Sequence, residues 1–253
     1  MTDLSPPRLP ARASTGHKGD FGRVAIVGGC ALAATRMISA PALAALAATR
    51  SGAGLVQLVC PKGVLNEALG IAPQATGCSL PTDESGGLLA SESVELLDGV
   101  IEASDVVVVG PGLGRGDGPA ALSLRAMQQK LTPVVVDADA LNELASTAQL
   151  ALDFHAPAVI TPHPGEFARL ATALGMTADP TSDAARPASA EQLAQRLGCI
   201  VVLKGARTVV SDGLQTWIDT TADSALATGG TGDVLAGLLG GLIAQHARPI
   251  THE

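Results

Sequence analysis

Aromatic residues are scarce in this chain, with three Phe, one Trp and no Tyr in 253 residues. That leaves no platform for stacking bases, and no run of Lys or Arg interrupts a chain of net charge −8, so nucleic acid is excluded as a partner. Cysteine is sparse too. Cys30, Cys60, Cys78 and Cys199 stand far apart with no CxxC pair, which argues against a structural zinc cluster and fits free thiols in a cytoplasmic compartment. Charged residues make up only 16% of the chain, which rules out a coiled coil and wholesale disorder. No apolar run approaches the roughly 18 residues of a membrane span; the most apolar stretches are residues 37–49 and 234–244. Residues 1–16 hold Pro6, Pro7 and Pro10 without an apolar core, so they lack the layout of a secretory signal. They read as a flexible arm before a single domain over 17–253.

What is abundant is small and apolar. Residues of apolar type form 47% of the chain. Short β-branched runs recur at 24–27, 55–59, 106–109, 134–136, 158–160 and 200–203, and each reads as a buried parallel strand. Ala- and Leu-rich segments at 41–49, 119–129, 166–174 and 191–197 carry helical spacing. The alternation predicts an α/β fold with a doubly wound, mostly parallel sheet flanked by helices. Residues 208–210 and 214–218, around Ser211, Asp212 and Gly213, predict a short hairpin at one sheet edge. Residues 177–190, with Pro180 and Pro187, read as a surface loop.

Ligands of open α/β sheets sit outside the carboxyl ends of the strands, so the residues after each apolar run are the candidates. The segment 228–233, Thr-Gly-Gly-Thr-Gly-Asp, precedes the apolar helix 234–244. Glycines admit an anion close to the backbone, and the free amides of a helix start hold negative charge. No GxxxxGK[ST] occurs, so this is not a P-loop. A carboxylate at Asp233 would repel a phosphate. It makes sense as a base taking a proton from a reacting hydroxyl, against the plainer reading of an acid complementing the helix dipole. The glycines of 110–114 fail the GxGxxG test and stand as either a backbone platform or a strand-to-helix turn. Lys204 ends a strand, suited to a nucleotide phosphate or to snorkelling into solvent. His163 is locked between Pro162 and Pro164, and Glu166 starts a helix. Asp137 and Asp139 follow a strand; one reads as a ligand-facing carboxylate, and Asp139 reads as an N-cap. His17, Lys18 and Gly19 could clamp a ligand or simply be solvated.

In this order, the segments 17–22, 51–55, 110–114, 137–142, 161–166, 202–205 and 229–233 closely resemble the ADP/ATP-dependent NAD(P)H-hydrate dehydratases, within the ribokinase-like fold. The TPHPGE loop at 161–166 together with HKG, DADALN and GGTGD carries the resemblance. It implies repair of NADHX or NADPHX, the hydrated reduced cofactors, by removal of water from the S-form at the expense of ADP or ATP. Asp233 is then the catalytic base, and the amides of Gly230, Thr231 and Gly232 form an anion hole. The hydrate is expected against Ala40, Gly112, Gly114, His163 and Asp233. The nucleotide is expected along Lys204, Gly205, Ala206, Arg207 and Thr208, with Gly232 near its phosphate. Glu166 is expected to order Mg2+ through water. Ser39 stands where the family commonly has Gly. The chain ends at Glu253, where the family usually continues with further helices. The resemblance also implies a separate epimerase acting in the same pathway, and a homo-oligomer. Two other readings share the glycine-rich hole: a ribokinase-like kinase for a vitamin-precursor alcohol, and a nucleotide-binding module without turnover. The first leaves the TPHPGE and HKG segments without a purpose, and the second leaves Asp233 without one.

Overall fold

Valine-rich runs become strands because β-branched side chains pack well on a pleated surface that is buried on both faces. The computed structural model describes residues 9–12 and 14–246. The first half of the chain folds as β1 (Arg23–Val27), α1 (Ser39–Arg50), β2 (Leu55–Pro61), α2 (Leu65–Ile71), β3 (Thr76–Leu80), α3 (Ala90–Glu102), β4 (Val106–Val109) and α4 (Asp117–Gln128). Then come β5 (Val134–Val136), α5 (Asp139–Leu144), α6 (Leu150–Asp153), β6 (Ala158–Ile160), α7 (Pro164–Ala173) and α8 (Arg186–Leu197). The chain closes with β7 (Ile200–Leu203), β8 (Val209–Ser211), β9 (Thr216–Ile218) and α9 (Thr231–His246).

The strands form one sheet in the order β3-β2-β1-β4-β5-β6-β7-β8-β9. Strands β1 to β7 pair in parallel, while β8 and β9 are antiparallel. The doubly wound sheet and its edge hairpin are therefore as the sequence predicts. Alternate residues of each strand serve different layers. Val24, Ile26, Val106 and Val108 pack with Ala44 and Ala48 of α1 and Ala236 of α9. Val27, Val107, Val109 and Val136 pack with Leu97, Leu122, Leu141, Leu170 and Leu193 of the helices on the other face. The chain leaves β1 for β2 and β3 and returns to β4 on the other side of β1, which makes the β1/β4 carboxyl ends the topological switch.

Helix α9 lies against α1 at backbone distance. A Cβ added to Gly237 would stand 2.0 Å from the Ala44 carbonyl oxygen, and one on Gly241 would stand 2.0 Å from Ser51 Oγ. Only glycine permits that approach. Val234 and Leu238 on the outer face of α9 are 41% and 40% exposed. No helix among the described residues is long and apolar enough to cross a membrane.

Several expectations are corrected. The loop read over 177–190 ends at Ala185: α8 begins at Arg186 and runs through Ser189 and Ala190, both buried. Pro187 lies in the first turn of α8, where its missing amide proton costs nothing. Asp139 is not a cap, because Ala138 holds the N-cap position of α5 with φ +51° and no side-chain bond. His17, Lys18 and Gly19 precede β1 and so lie at the amino ends of the strands, away from the ligand rim. There His17 caps a short helical turn through its bond from the Gly19 amide. Elements α2, β3 and α3 were not foreseen, although α3 buries Ser93, Leu97, Val100 and Ile101 at helical spacing. Of the arm over 1–16, residues 1–8 and 13 lie outside the described residues; Arg12 bonds the Gly52 carbonyl and stacks 3.5 Å over the Phe21 ring.

Candidate active site

Two glycine-rich turns meet at the carboxyl rim of the sheet. The first, over 110–114, is knitted into the protein by its own backbone. The Gly110 amide donates to the Val27 carbonyl, Pro111 accepts from the Gly29 amide, and the Leu113 amide returns to the Gly110 carbonyl, each at 3.0 Å. The Gly114 amide donates to Asp139 Oδ2 at 2.9 Å. Gly112 has φ +59°, and a Cβ there would stand 3.0 Å from the Cβ atoms of both Ala40 and Met37. Ala40 and Gly112 therefore share one wall.

The second turn, over 228–232, opens α9. Gly230 has φ +90° and its carbonyl accepts from the Val234 amide at 3.0 Å. The amides of Gly230, Gly232 and Asp233 make no hydrogen bond among the described residues, and the Thr231 amide makes one at 3.4 Å to the Thr228 carbonyl. Unsatisfied amides at the positive end of a 16-residue helix are suited to hold an anion. A Cβ added to Gly230 would meet Leu43 at 2.7 Å. Leu43 lies three residues beyond Ala40 on α1, hence on the same helical face, so the first turn of α1 joins the two glycine loops.

Beneath the hole lies a charged cluster supplied by three strand ends. Lys204, after β7, places Nζ 2.6 Å from Asp137 Oδ1, after β5, and 3.7 Å from Glu166 Oε2. Asp137 is 1% exposed and also accepts from Thr161 Oγ1 at 2.6 Å. The Cβ position of Gly232 is 3.6 Å from Lys204 Nζ and 3.8 Å from Asp137 Oδ2. Burial, then repulsion from Asp137, push the Asp233 carboxyl up to about 6, with Lys204 opposing the shift and Asp139 adding to it. A carboxylate poised there is a competent general base near neutral pH.

Backbone strain concentrates at this cluster. Ala138 is the single non-glycine residue with positive φ among the described residues. Its turn sends Asp137 toward Lys204 and Asp139 toward Gly114. A non-glycine residue in such a conformation costs on the order of 1–3 kcal/mol and persists only where its surroundings over-determine it.

His163 is the N-cap of α7. Its Nδ1 accepts from the Gly165 amide at 2.9 Å and from the Glu166 amide at 3.4 Å, while Glu166 Oε2 accepts from the His163 amide at 2.7 Å. An accepting Nδ1 carries no proton, so Nε2–H is the only donor the neutral ring offers. Burial, then the charges of Lys204 and Arg169, hold its pKa below the usual value. Glu166 is 5% exposed, and burial raises its pKa despite the nearby Lys204. Its carboxylate is thus engaged by the reciprocal cap and by Lys204. Among the described residues no group of three His, Cys, Asp or Glu is placed to hold a metal. The donors present do not form a magnesium cage.

The loop 204–208 follows β7. Ala206 is exposed, Arg207 pairs with Asp183 at 3.6 Å, and Thr208 Oγ1 bonds the Gly205 carbonyl. Sequence reasoning missed what lies behind it. Arg186, in the first turn of α8, is buried and bonds the carbonyls of Leu203, Lys204 and Arg207. The available signal was a cation at a helix start, where the dipole disfavours it. It also missed Leu43 and Met37, which belong to no motif.

The family model for NAD(P)H-hydrate dehydratase matches residues 24–253. The chain belongs to this family. It is 40% identical over 244 residues to the bifunctional NAD(P)H-hydrate repair enzyme Nnr of Moorella thermoacetica, covering 96% of this chain and 44% of that protein. The chain thus spans less than half the length of that relative. Among solved structures, an ADP/ATP-dependent NAD(P)H-hydrate dehydratase of Bacillus subtilis, co-crystallised with ATP and Mg2+, aligns with TM-score 0.70 and 27% identity over 94% of this chain and 78% of that one. A ribokinase-like superfamily protein of Enterococcus faecalis aligns with TM-score 0.73 and 27% identity, over 93% and 75%. The fold is ribokinase-like.

Proposed function

We propose that the chain is an ADP/ATP-dependent dehydratase that returns S-NADHX and S-NADPHX to NADH and NADPH. The observation that carries this reading is the juxtaposition of unsatisfied amides at the start of α9 with Asp233, whose carboxyl is pushed up to about 6. An anion hole that already contains a base is suited to phosphorylating a hydroxyl, and family membership says which hydroxyl. Hydroxide is a poor leaving group near neutral pH, whereas phosphate departs readily. In this reading Asp233 accepts the hydroxyl proton as the oxygen attacks the terminal phosphorus of the nucleotide, and the bridging P–O bond breaks to release AMP from ADP or ADP from ATP. The amides of Gly230, Thr231 and Gly232 hold the charge that develops on the phosphoryl oxygens. Breakage of the C–O bond, with loss of a proton from the adjacent carbon, then releases phosphate and restores the double bond.

Ala40, Gly112 and the Nε2–H of His163 supply the wall and the donor for the hydrate, with Leu43 closing the passage to the hole. Gly114 contributes by shape, because its amide is taken by Asp139. Lys204, Gly205, Ala206, Arg207 and Thr208 bind the nucleotide, with Gly232 beside its phosphate. Mg2+ is expected to travel with the nucleotide phosphates, since it keeps several waters and leans on phosphate oxygens. Epimerisation of the R-hydrate falls to a separate activity.

The test supplies purified protein with hydrated NADH and Mg2+, and compares ADP, ATP and no nucleotide. A nucleotide-dependent rise in the near-ultraviolet absorbance of reduced nicotinamide, matched by inorganic phosphate, is the expected result. A stable phosphorylated product instead would identify a kinase. Nucleotide binding without either product would leave a non-catalytic module.

A further inference from the structure

Arg186 is 4% exposed, yet no carboxylate accepts from it. Its Nη1 donates to the Pro180 carbonyl at 2.8 Å. Its Nη2 donates to the carbonyls of Leu203 at 2.9 Å, Lys204 at 3.2 Å and Arg207 at 3.2 Å. The Nε is buried without a partner. Three of the four acceptors therefore belong to the end of β7 and the loop that follows it. The loop lies directly on the guanidinium: a Cβ on Gly205 would stand 2.7 Å from Nη2.

Two consequences follow from this geometry. A peptide carbonyl drawn inward leaves the amide of the same peptide unit facing the other way, because the two groups are antiparallel across a planar bond. Of the peptide units so held, that of Leu203 sends its Lys204 amide to the Pro162 carbonyl, while the amides of Gly205 and Thr208 make no hydrogen bond among the described residues. Secondly, removing a guanidinium from water is expensive unless an opposite charge compensates it. Neutral donors would suffice to tie three carbonyls together. A permanent cation that no carboxylate bonds directly, with the Asp183 charge acting on it only from a distance, is complementary to an anion bound above outward-facing amides.

We infer that Arg186 is a positioning residue that presents the Gly205 and Thr208 amides, and a positive charge behind them, to the phosphate-bearing nucleotide. This rests on the assignment of the nucleotide to the 204–208 loop. It adds a residue that touches no substrate and gives Gly205 a reason beyond ligand contact, since a side chain there would displace the guanidinium.

The experiment measures ADP binding by calorimetry and steady-state kinetics for the unaltered protein, R186K and R186M. Lys keeps the charge but not the fork of donors. ADP should bind R186K about tenfold more weakly and R186M more weakly still. The KM for nucleotide should rise in parallel, with the KM for hydrate and kcat at saturating nucleotide unchanged. A merely structural arginine would lower the melting temperature and leave the KM ratio alone. R186K that folds and binds ADP as tightly as the unaltered protein overturns the inference. Hydrogen exchange on the unaltered protein decides the matter if both variants fail to fold. ADP should slow exchange at Gly205 and Thr208, and no protection there would sink the proposal. If the unaltered protein binds ADP and R186K weakens it, but no hydrate is consumed, the dehydratase reading fails and the role of Arg186 stands. If ADP does not bind at all, both fail.

Discussion

The two glycine-rich turns on the rim look alike in sequence and differ in hydrogen bonding. In 110–114 the amides of Gly110, Leu113 and Gly114 are bonded within the protein, and that of Gly112 makes no hydrogen bond among the described residues. In 228–232 those of Gly230 and Gly232 are not bonded. Both turns need positive φ, at Gly110, Gly112 and Gly114 in one and at Gly230 in the other. Glycine content therefore reports backbone freedom in both, whereas anion binding depends on which amides are left unsatisfied. The first turn is a shaped wall and the second a receptor. Asp139 and Asp233 sharpen the contrast: one carboxylate is consumed in bonding a turn, while the other stands in the open hole.

The largest expected break of this contrast is Asp233→Asn. Turnover should fall by about 10² to 10⁴ with ADP binding retained, and an Asn variant close to normal activity would remove the base from the mechanism. Next comes a matched pair of glycine substitutions. Gly230→Ala forces a side chain at φ +90° against Leu43 and should lower kcat by about 10², the scale of a lost oxyanion donor. Gly114→Ala, at φ +80° and 3.0 Å from Cys30 Sγ, should cost about 1–3 kcal/mol of stability with kcat nearly intact. Equal losses of kcat in the two variants would erase the distinction between wall and receptor.

The pH dependence is smaller over the physiological range. Because the Asp233 base must be ionised and its pKa is about 6, kcat/KM should be level above that value and fall about tenfold per unit below it. The smallest effect is on stability. The folded pKa lies above the unfolded one, so the stabilising contribution is complete below the unfolded value and is lost as pH rises through about 6. Asp233→Asn should accordingly raise stability at pH 8 by about 1–2 kcal/mol, a figure that allows for solvent screening. Thermal melting of the variant against the unaltered protein at pH 5 and pH 8 checks this: the gain should shrink at the lower pH.

Much of this was legible in the chain. Runs of Val and Ile give β1, β2 and β4 to β7, because strands buried on both faces read as continuous apolar segments. The edge strand β3, Thr-Gly-Cys-Ser-Leu, escaped notice because a strand largely exposed along its length needs no such run. Pro180 and Pro187 suggested a loop through residue 190, yet Pro187 stands where a helix tolerates proline. The glycines and Asp233 before α9 could be read directly, since a short motif holds both the amides and the acid.

The sequence by itself determined the layered α/β class, the glycine-rich start of α9 and the family, because each depends on local pattern or on motif order. Only the tertiary structure decided that the turn before α9 leaves more of its amides unbonded than the turn at 110–114, that Lys204 meets Asp137 and Glu166, and that Arg186 underlies the 204–208 loop. Those outcomes depend on hydrogen bonds between segments remote in the chain, such as Lys204 to Asp137 across 67 positions, and no local pattern encodes where a distant partner arrives.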